Sequence, residues 1–330
     1  MCGIAGIVRM GKQPIPEETL ALLLTGNEHR GNDASGLAIA QNNGDVAVFK
    51  RDIPAWKFVS EKEYFDFLKE NLRADSWAVI LHARAATKGN PRENNNNHPM
   101  FAGQTAVVHN GIIYNDDHLF KEMKLERRAE TDSDILRAIL DEYGFTEKGM
   151  KELSRVVGAA AGAAVSPKYP QKMLLFKSGT PMKLACTEDF LLFSSELKTL
   201  HKASRPMVTR FGMWFQMQHP QMAFGPVAED TVYLVGKNGF ETHMPFKAHT
   251  GFYHEPNRRT YKDWESRQTK WDKEKLHTAT KKLVEAAWCS TCKKSWMITQ
   301  GTDPKDWFCP KERQGCGGTL EKMPEETHAE

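Results

Sequence analysis

The second residue of the chain, Cys2, is a candidate nucleophile. A thiolate attacks electrophiles far better than a thiol does. Removal of Met1 would give Cys2 a free α-amine, and such an amine has a pKa of about 8, so it can accept the thiol proton near neutral pH. Nucleophile and base would then belong to one residue. A chain can also begin with Met-Cys by chance, so Cys2 alone does not establish catalysis.

Five further motifs follow Cys2, each rich in polar residues or glycine. They are HRGND at 29–33, HARAAT at 82–87, NHP at 97–99, HNG at 109–111 and ETD at 130–132. With the opening CGI at 2–4, this order closely resembles the glutaminase domain of class II glutamine amidotransferases, whose nucleophile is an N-terminal cysteine. The resemblance covers residues 1–245. It implies an α+β fold, the four-layer αββα sandwich of the Ntn hydrolases.

The resemblance also implies a role for individual residues. In that family the nucleophile attacks the side-chain amide of L-glutamine, two donors hold the oxyanion, and opposite charges bind the α-carboxylate and the α-ammonium. Here the nucleophile is Cys2, the oxyanion donors are Asn110 and Gly111, the carboxylate ligands are Arg84 and Thr87, the ammonium ligand is Asp132, and Arg30 orients the nucleophile.

Each of these residues has an ordinary structural explanation when taken singly. An arginine after a strand is commonly a surface residue, Asn-Gly is commonly a turn, and Thr131-Asp132 is commonly a helix cap. Their joint order is what favours catalysis. The histidines of the motifs are expected to be structural.

Two stretches depart from the family pattern. Ala85 stands where relatives often carry a bulky side chain, which predicts either a wider glutamine pocket or a different closing lid. Lys88 and residues 94–97 fall in the region of the lid over that pocket. The sequence also contains no Walker-type phosphate loop and no recognisable ammonia-using domain after residue 245. We therefore expect the ammonia to pass to a separate synthase.

Four of the six cysteines cluster near the end of the chain. Cys289, Cys292, Cys309 and Cys316 follow the spacing C-x2-C-x16-C-x6-C, which indicates a tetrahedral structural Zn2+ site. The sequence predicts a small zinc-ribbon-like module over 288–320. A free-thiol tail or one disulfide is the alternative. Docking of a protein partner is the preferred role of this module, and nucleic-acid binding is second, because lysines and tryptophans surround the ligands.

The apolar periodicity predicts the other elements. Strands are expected over 1–8, 37–40, 46–50, 77–81 and 105–108, and helices over 17–25, 61–73, 116–124 and 133–143. Residues 246–287 are predicted to be a linker followed by a charged helix over 263–287, and residues 321–330 a disordered tail.

The composition is that of an ordinary soluble globular protein, with 40% hydrophobic and 26% charged residues. A net charge of +3 is too small to indicate nucleic-acid binding by itself. No apolar run approaches the roughly 20 residues of a membrane span. The polar residues from Arg9 onward argue against a signal peptide. We expect a cytoplasmic protein without membrane contact.

The sequence therefore predicts a stand-alone glutaminase subunit that needs no cofactor for its chemistry. It would release glutamate and ammonia from L-glutamine through a Cys2 thioester. Two alternatives stay open. The same apparatus could hydrolyse a γ-glutamyl amide in a larger substrate, which a wider pocket at Ala85 would admit. The fold could instead be a non-catalytic scaffold that works through its zinc module.

Overall fold

The computed structural model describes residues 2–187, 189–204, 223–248, 284–288, 291, 295–299 and 321–322. The helices within these ranges are α1 (Glu17–Thr25), α2 (Ala55–Phe58), α3 (Lys62–Asn71), α4 (Asp116–Met123), α5 (Asp134–Tyr143), α6 (Glu147–Leu153) and α7 (Leu197–Ala203).

The strands are β1 (Gly3–Arg9), β2 (Ala34–Ala40), β3 (Val46–Arg51), β4 (Ala78–Arg84), β5 (Ala106–Ile113), β6 (Gly158–Val165), β7 (Met173–Ser178), β8 (Lys183–Cys186), β9 (Phe190–Ser194), β10 (Ala223–Pro226), β11 (Thr231–Gly236), β12 (Gly239–Pro245), β13 (Val284–Trp288), β14 (Ser295–Thr299) and β15 (Glu321–Lys322).

Two antiparallel sheets form the body of the fold. The seven-stranded sheet has the order β10-β8-β9-β1-β4-β2-β3, and the five-stranded sheet has the order β12-β11-β7-β6-β5. In the larger sheet β1 is central and pairs with both β4 and β9. The first residues of the chain are therefore held in the middle of a sheet rather than at its edge.

Alternation along the strands builds the layers, because successive side chains of a strand point to opposite faces. In β1, Ile4 and Val8 pack between the two sheets, where they meet Val108 of β5. Ala5 and Ile7 point the other way, into a core with α1, α2, α3 and α7. The smaller sheet packs its other face against α4, α5 and α6. The result is the expected helix–sheet–sheet–helix sandwich.

The end of this sandwich differs from the predicted boundary at residue 245. Phe246 and Ala248, which the sequence placed in the linker, are buried against the α5 side of the smaller sheet. The predicted helix over 263–287 is wrong at its last four residues, because Val284–Trp288 is a strand whose backbone pairs with β14 and β15. The remainder of that predicted helix lies outside the described residues.

Within the described ranges, no helix is both long enough and apolar enough to cross a membrane.

Candidate active site

Strand pairing brings Cys2 next to the end of β4. Gly3 lies opposite Ala83 in the antiparallel register of β1 and β4, so Cys2, just before Gly3, meets the residues just after Ala83. The backbone N–H of Ala85 donates to the Cys2 Sγ over 3.4 Å. The carbonyl oxygen of Ala85 is also 3.4 Å from Sγ and accepts the thiol proton. The thiol is thus held by backbone groups at the strand end.

The environment of Cys2 favours the protonated thiol until a base is present. Burial raises the pKa of Cys2, and the Ala85 N–H acts in the opposite direction because it stabilises the thiolate. Cys186, the other free cysteine of the described residues, is buried in the core, and burial raises its pKa to about 12. Of these two thiols, Cys2 is the accessible one, since it is only partly buried.

Arg84 is buried at the end of β4 and holds the start of the following loop. Its Nη1 donates to Asn97 Oδ1 over 2.8 Å, and its Nη2 donates to the carbonyl oxygens of Lys88 (2.8 Å) and Gly89 (2.9 Å). A guanidinium has five N–H donors, so two remain for another acceptor. The loop from residue 85 to residue 97, which we call the lid loop, is therefore closed over this arginine.

The side-chain amide of Asn110 is buried without a hydrogen-bond partner in the described part of the chain, so it is available to donate to a ligand. It lies within β5, opposite Ala161 of β6, its side chain is completely buried, and neither Nδ2 nor Oδ1 has a hydrogen-bond partner among the described residues. Buried amides are almost always paired. An unpaired amide here fits a group that binds an oxyanion appearing only during reaction.

Gly111, the next residue, can only be glycine. Its φ is +144°, and a Cβ would lie 1.8 Å from the carbonyl oxygen of Ala159. This conformation lets β5 and β6 approach closely and brings a side-chain-free backbone N–H next to Asn110.

Asp132 does not cap a helix, although Thr131-Asp132 is a common capping pattern. Ser133 is the residue before α5, while Asp132 Oδ2 accepts the backbone N–H of Ile113 over 2.7 Å. Asp132 as a residue is 7% exposed, and its carboxylate forms no ion pair within the described part of the chain. It is therefore a buried negative charge beside the oxyanion residues of β5, and it suits a ligand ammonium.

Arg30 and Thr87 complete the residues predicted from the sequence. Arg30 Nε donates to the carbonyl oxygen of Cys2 over 2.9 Å, and its Nη1 pairs with Glu196 Oε1 at 2.6 Å. This geometry matches the orienting role implied for it. Thr87 is exposed in the lid loop. The structure thus brings Cys2 and Arg84 together with Arg30, and leaves Thr87 at the surface.

Two buried histidines of the motifs, His82 and His98, are neutral. Burial lowers the pKa of His82 to about 3 and that of His98 well below its usual range. His82 Nε2 lies 2.9 Å from the carbonyl oxygen of His109, so it carries the proton and donates it. The rings of His82 and His98 stack with centroids 4.0 Å apart. The expectation that the histidines are structural stays a prediction, which this neutral, packed arrangement supports.

Sequence reasoning missed Asn97 as a functional residue. The sequence gives the motif NHP at 97–99 no role, yet the Asn97 side chain is, among the described residues, the one side-chain acceptor of Arg84, beside the carbonyl oxygens of Lys88 and Gly89. The predicted zinc ligands Cys289, Cys292, Cys309 and Cys316 all lie outside the described residues, and the zinc module stays a prediction.

Comparison with known proteins identifies the domain. Residues 82–202 match the family model described as a glutamine amidotransferase domain. The glutamine–fructose-6-phosphate aminotransferase (isomerizing) of Gluconobacter oxydans strain 621H is 30% identical over 270 residues, which cover 76% of this chain and 42% of that protein. A protein of the same name from Rhizobium meliloti strain 1021 is 35% identical over 195 residues, covering 56% of this chain and 30% of that protein.

The chain carries a class II glutamine amidotransferase domain. The predicted enzyme class is confirmed. Among solved structures, this amidotransferase domain resembles the glutamine phosphoribosylpyrophosphate amidotransferase of B. subtilis in complex with ADP and GMP. The TM-score is 0.57 at 18% identity, over 74% of this chain and 49% of that one. This likeness concerns the fold alone, and it confirms the predicted Ntn-hydrolase-like pair of antiparallel sheets. The chain spans less than half the length of each of these three relatives.

Proposed function

We propose that this amidotransferase domain hydrolyses the side-chain amide of L-glutamine through a thioester on Cys2. The main support for this proposal is the buried side-chain amide of Asn110, which has no hydrogen-bond partner among the described residues. Asn110 lies on β5, and the Ile113 N–H of the same strand donates to Asp132. Free glutamine is a zwitterion. Arg84 keeps two donors for its carboxylate, and Asp132 offers its ammonium a carboxylate that has hydrogen-bond donors but no ion-pair partner among the described residues. Arg84 and Asp132 form no ion pair with each other, so both charges are available to a ligand.

The reaction would begin once Met1 has been removed. The α-amine of Cys2 accepts the thiol proton, and the thiolate attacks the amide carbon. The side chain of Asn110 and the N–H of Gly111 hold the oxyanion that forms. The C–N bond then breaks, and the departing nitrogen takes the proton from the α-ammonium and leaves as ammonia. Water attacks the thioester, regenerating the thiol and releasing glutamate.

We further propose that the chain acts as a glutaminase subunit and passes its ammonia to a separate synthase. The module predicted over 288–320, with Zn2+ on its four cysteines, would dock that partner. Nucleic-acid binding is the second candidate role for the module. Metal analysis of the purified full chain tests the zinc prediction. One equivalent of zinc, lost in Cys289→Ser, is expected.

The decisive experiment measures glutamate and ammonia release from L-glutamine by the full chain, with intact mass taken on the same sample to establish removal of Met1. Cys2→Ala is expected to abolish release, because no other described thiol is accessible. Cys186→Ala is the matched control and should retain activity, since Cys186 lies in the core away from the site. Absence of release from correctly processed protein would contradict the proposal.

A γ-glutamyl amide in a larger substrate is the second candidate. The observation that favours it is the small side chain of Ala85, whose contacts with Cys2 run through its backbone only. Comparison of kcat/KM for L-glutamine and for γ-glutamyl alkylamides of increasing size separates the two. A higher kcat/KM for a large γ-glutamyl alkylamide than for L-glutamine would favour this second candidate.

A further inference from the structure

Lys50 is a cation of β3 to which no role has been given. Its Nζ donates to the carbonyl oxygen of Asn97, the last residue of the lid loop (2.6 Å), and to that of Pro99 just after the loop (3.0 Å). Among the described residues it forms no ion pair. A cation that is largely removed from water needs hydrogen-bond partners or a counter-charge. Here those partners are carbonyl oxygens of one short segment, so the lysine fixes the position of that segment.

The neighbouring strand is built to let this segment come close. Gly36 of β2 lies opposite Lys50 in the antiparallel register. A Cβ at Gly36 would stand 2.2 Å from the carbonyl oxygen of His98. The missing side chain leaves room for residues 97–99 to run directly against β2. Their carbonyl groups thereby come within reach of Lys50.

Asn97 connects this anchor to the glutamine site. Its backbone carbonyl accepts from Lys50, while its side-chain Oδ1 accepts from Arg84 Nη1 over 2.8 Å. Its Nδ2 donates to the carbonyl oxygen of Pro91 over 2.7 Å. Asn97 is completely buried, so it has little freedom to reposition. Any shift of its backbone would therefore move the side-chain acceptor of Arg84 Nη1, while the Lys88 and Gly89 carbonyl oxygens hold only Nη2.

We propose that Lys50 is a positioning residue for glutamine binding, acting through Asn97 to hold Arg84 in the orientation that accepts the substrate carboxylate. This inference rests on the proposed glutaminase function. It assigns to β3, an edge strand of the larger sheet, a part in the substrate site. Lys50 has no contact with the substrate in this proposal, because the described hydrogen bonds of its Nζ all go to the Asn97 and Pro99 carbonyl oxygens.

The charges around Lys50 make the anchor sensitive to pH. Burial and, to a smaller extent, the nearby Arg84 guanidinium lower the pKa of Lys50 to about 8, while the Asp134 carboxylate at the start of α5 acts in the opposite direction. Loss of the proton replaces charge-assisted hydrogen bonds with weaker neutral ones. The anchor should therefore weaken as the pH rises through about 8.

The test is Lys50→Met in the full chain, because methionine keeps the length of the side chain and removes all three donors. The KM for glutamine is expected to rise about tenfold with kcat changed less than about twofold, since binding rather than chemistry loses support. Arg51→Met is the control. Arg51 follows on the same strand, points to the opposite face, and is 44% exposed. It should leave both constants unchanged.

A second measurement compares the pH dependence of KM in the wild type and in Lys50→Arg, whose guanidinium stays charged. The wild-type KM should rise more steeply above pH 8 than that of Lys50→Arg. Deprotonation of glutamine itself affects both proteins alike. This comparison also tests the role of Lys50 if Lys50→Met does not fold. Loss of a cooperative thermal transition would show that the variant is unfolded.

Three results would overturn the inference: an unchanged KM in folded Lys50→Met, a loss of kcat without a change in KM, or identical pH profiles in the wild type and Lys50→Arg. Failure of the underlying function looks different, because the wild type itself would then release no glutamate.

Discussion

At the scale of single residues, replacing Asn110 is expected to reduce the rate of the reaction strongly and to change the stability of the fold only slightly. Asn110→Ala should lower kcat by a hundredfold or more, the usual worth of one oxyanion donor. The free energy of unfolding should change by less than about 1 kcal/mol, because no hydrogen bond between described residues is lost. Steady-state kinetics and urea unfolding of one sample measure the two effects.

Asn27 provides the matched control for this prediction. It is also buried, but its Nδ2 donates to the Leu23 carbonyl oxygen (2.8 Å) and to Ser194 Oγ (3.0 Å). Asn27→Ala should show the reverse pattern, with stability reduced by about 1–3 kcal/mol and kcat largely kept. If Asn110→Ala proves destabilising and active instead, its amide is a structural group and the oxyanion assignment is wrong.

The residues of the site differ in how far the sequence predicts them. Cys2, Arg84 and Asn110 can be located because each belongs to a recognisable motif in or beside a strand. Lys50 gives no such signal, because it acts on carbonyl groups of a loop that lies 47 residues further along the chain. The carbonyl groups that Lys50 contacts are determined by how β3 packs against that loop. This packing cannot be inferred from the type of the residue or from its spacing in the sequence.

At the scale of elements, the buried side chain of Asn96 is one of the contacts that hold the lid loop. Its Nδ2 donates to Glu130 Oε2 (3.0 Å) and to the Asn90 carbonyl oxygen (3.2 Å), and its Oδ1 accepts the Glu130 N–H over 2.8 Å. Asn96→Ala removes all three bonds. Backbone amides of the lid loop, such as that of Asn97, should then exchange with solvent about tenfold faster.

Hydrogen exchange followed by mass spectrometry measures this effect. Asn95→Ala is the control, since Asn95 is the adjacent residue of the same type and is exposed. It should leave exchange in the loop unchanged. Equal exchange rates in Asn96→Ala and Asn95→Ala would show that the loop is held by other contacts, for example the 2.6 Å ion pair between Lys88 and Asp116.

Elements with clear periodicity were predicted closely, and those that depend on tertiary packing were not. The helix expected over 17–25 is α1, with the same bounds. α6 was not predicted, because Gly149 lies in its middle and glycine disfavours helix. The structure compensates with the Thr146 cap on the Gly149 N–H and with burial of Met150 and Leu153. Likewise, β13 replaces the end of the predicted charged helix because β14 and β15 pair with it.

At the scale of the whole molecule, the histidines of the interior tie stability to pH. His82 and His98 are buried and neutral, with pKa values below that of an unfolded histidine, which is about 6.5. Between pH 6.5 and the lower folded values, the unfolded chain therefore binds more protons than the folded one. Stability should be full above about pH 6.5 and should fall as the pH drops, by about 1.4 kcal/mol per pH unit for each such histidine.

His98→Leu tests this dependence, because both ring nitrogens of His98 lack hydrogen-bond partners among the described residues and leucine restores apolar packing. At pH 7.5 the variant should be about as stable as the wild type. At pH 5 it should be the more stable, since it has one proton fewer to gain on unfolding. Urea unfolding at several pH values between 5 and 7.5 measures the slope. A wild-type slope in His98→Leu would mean that His98 titrates normally in the folded protein.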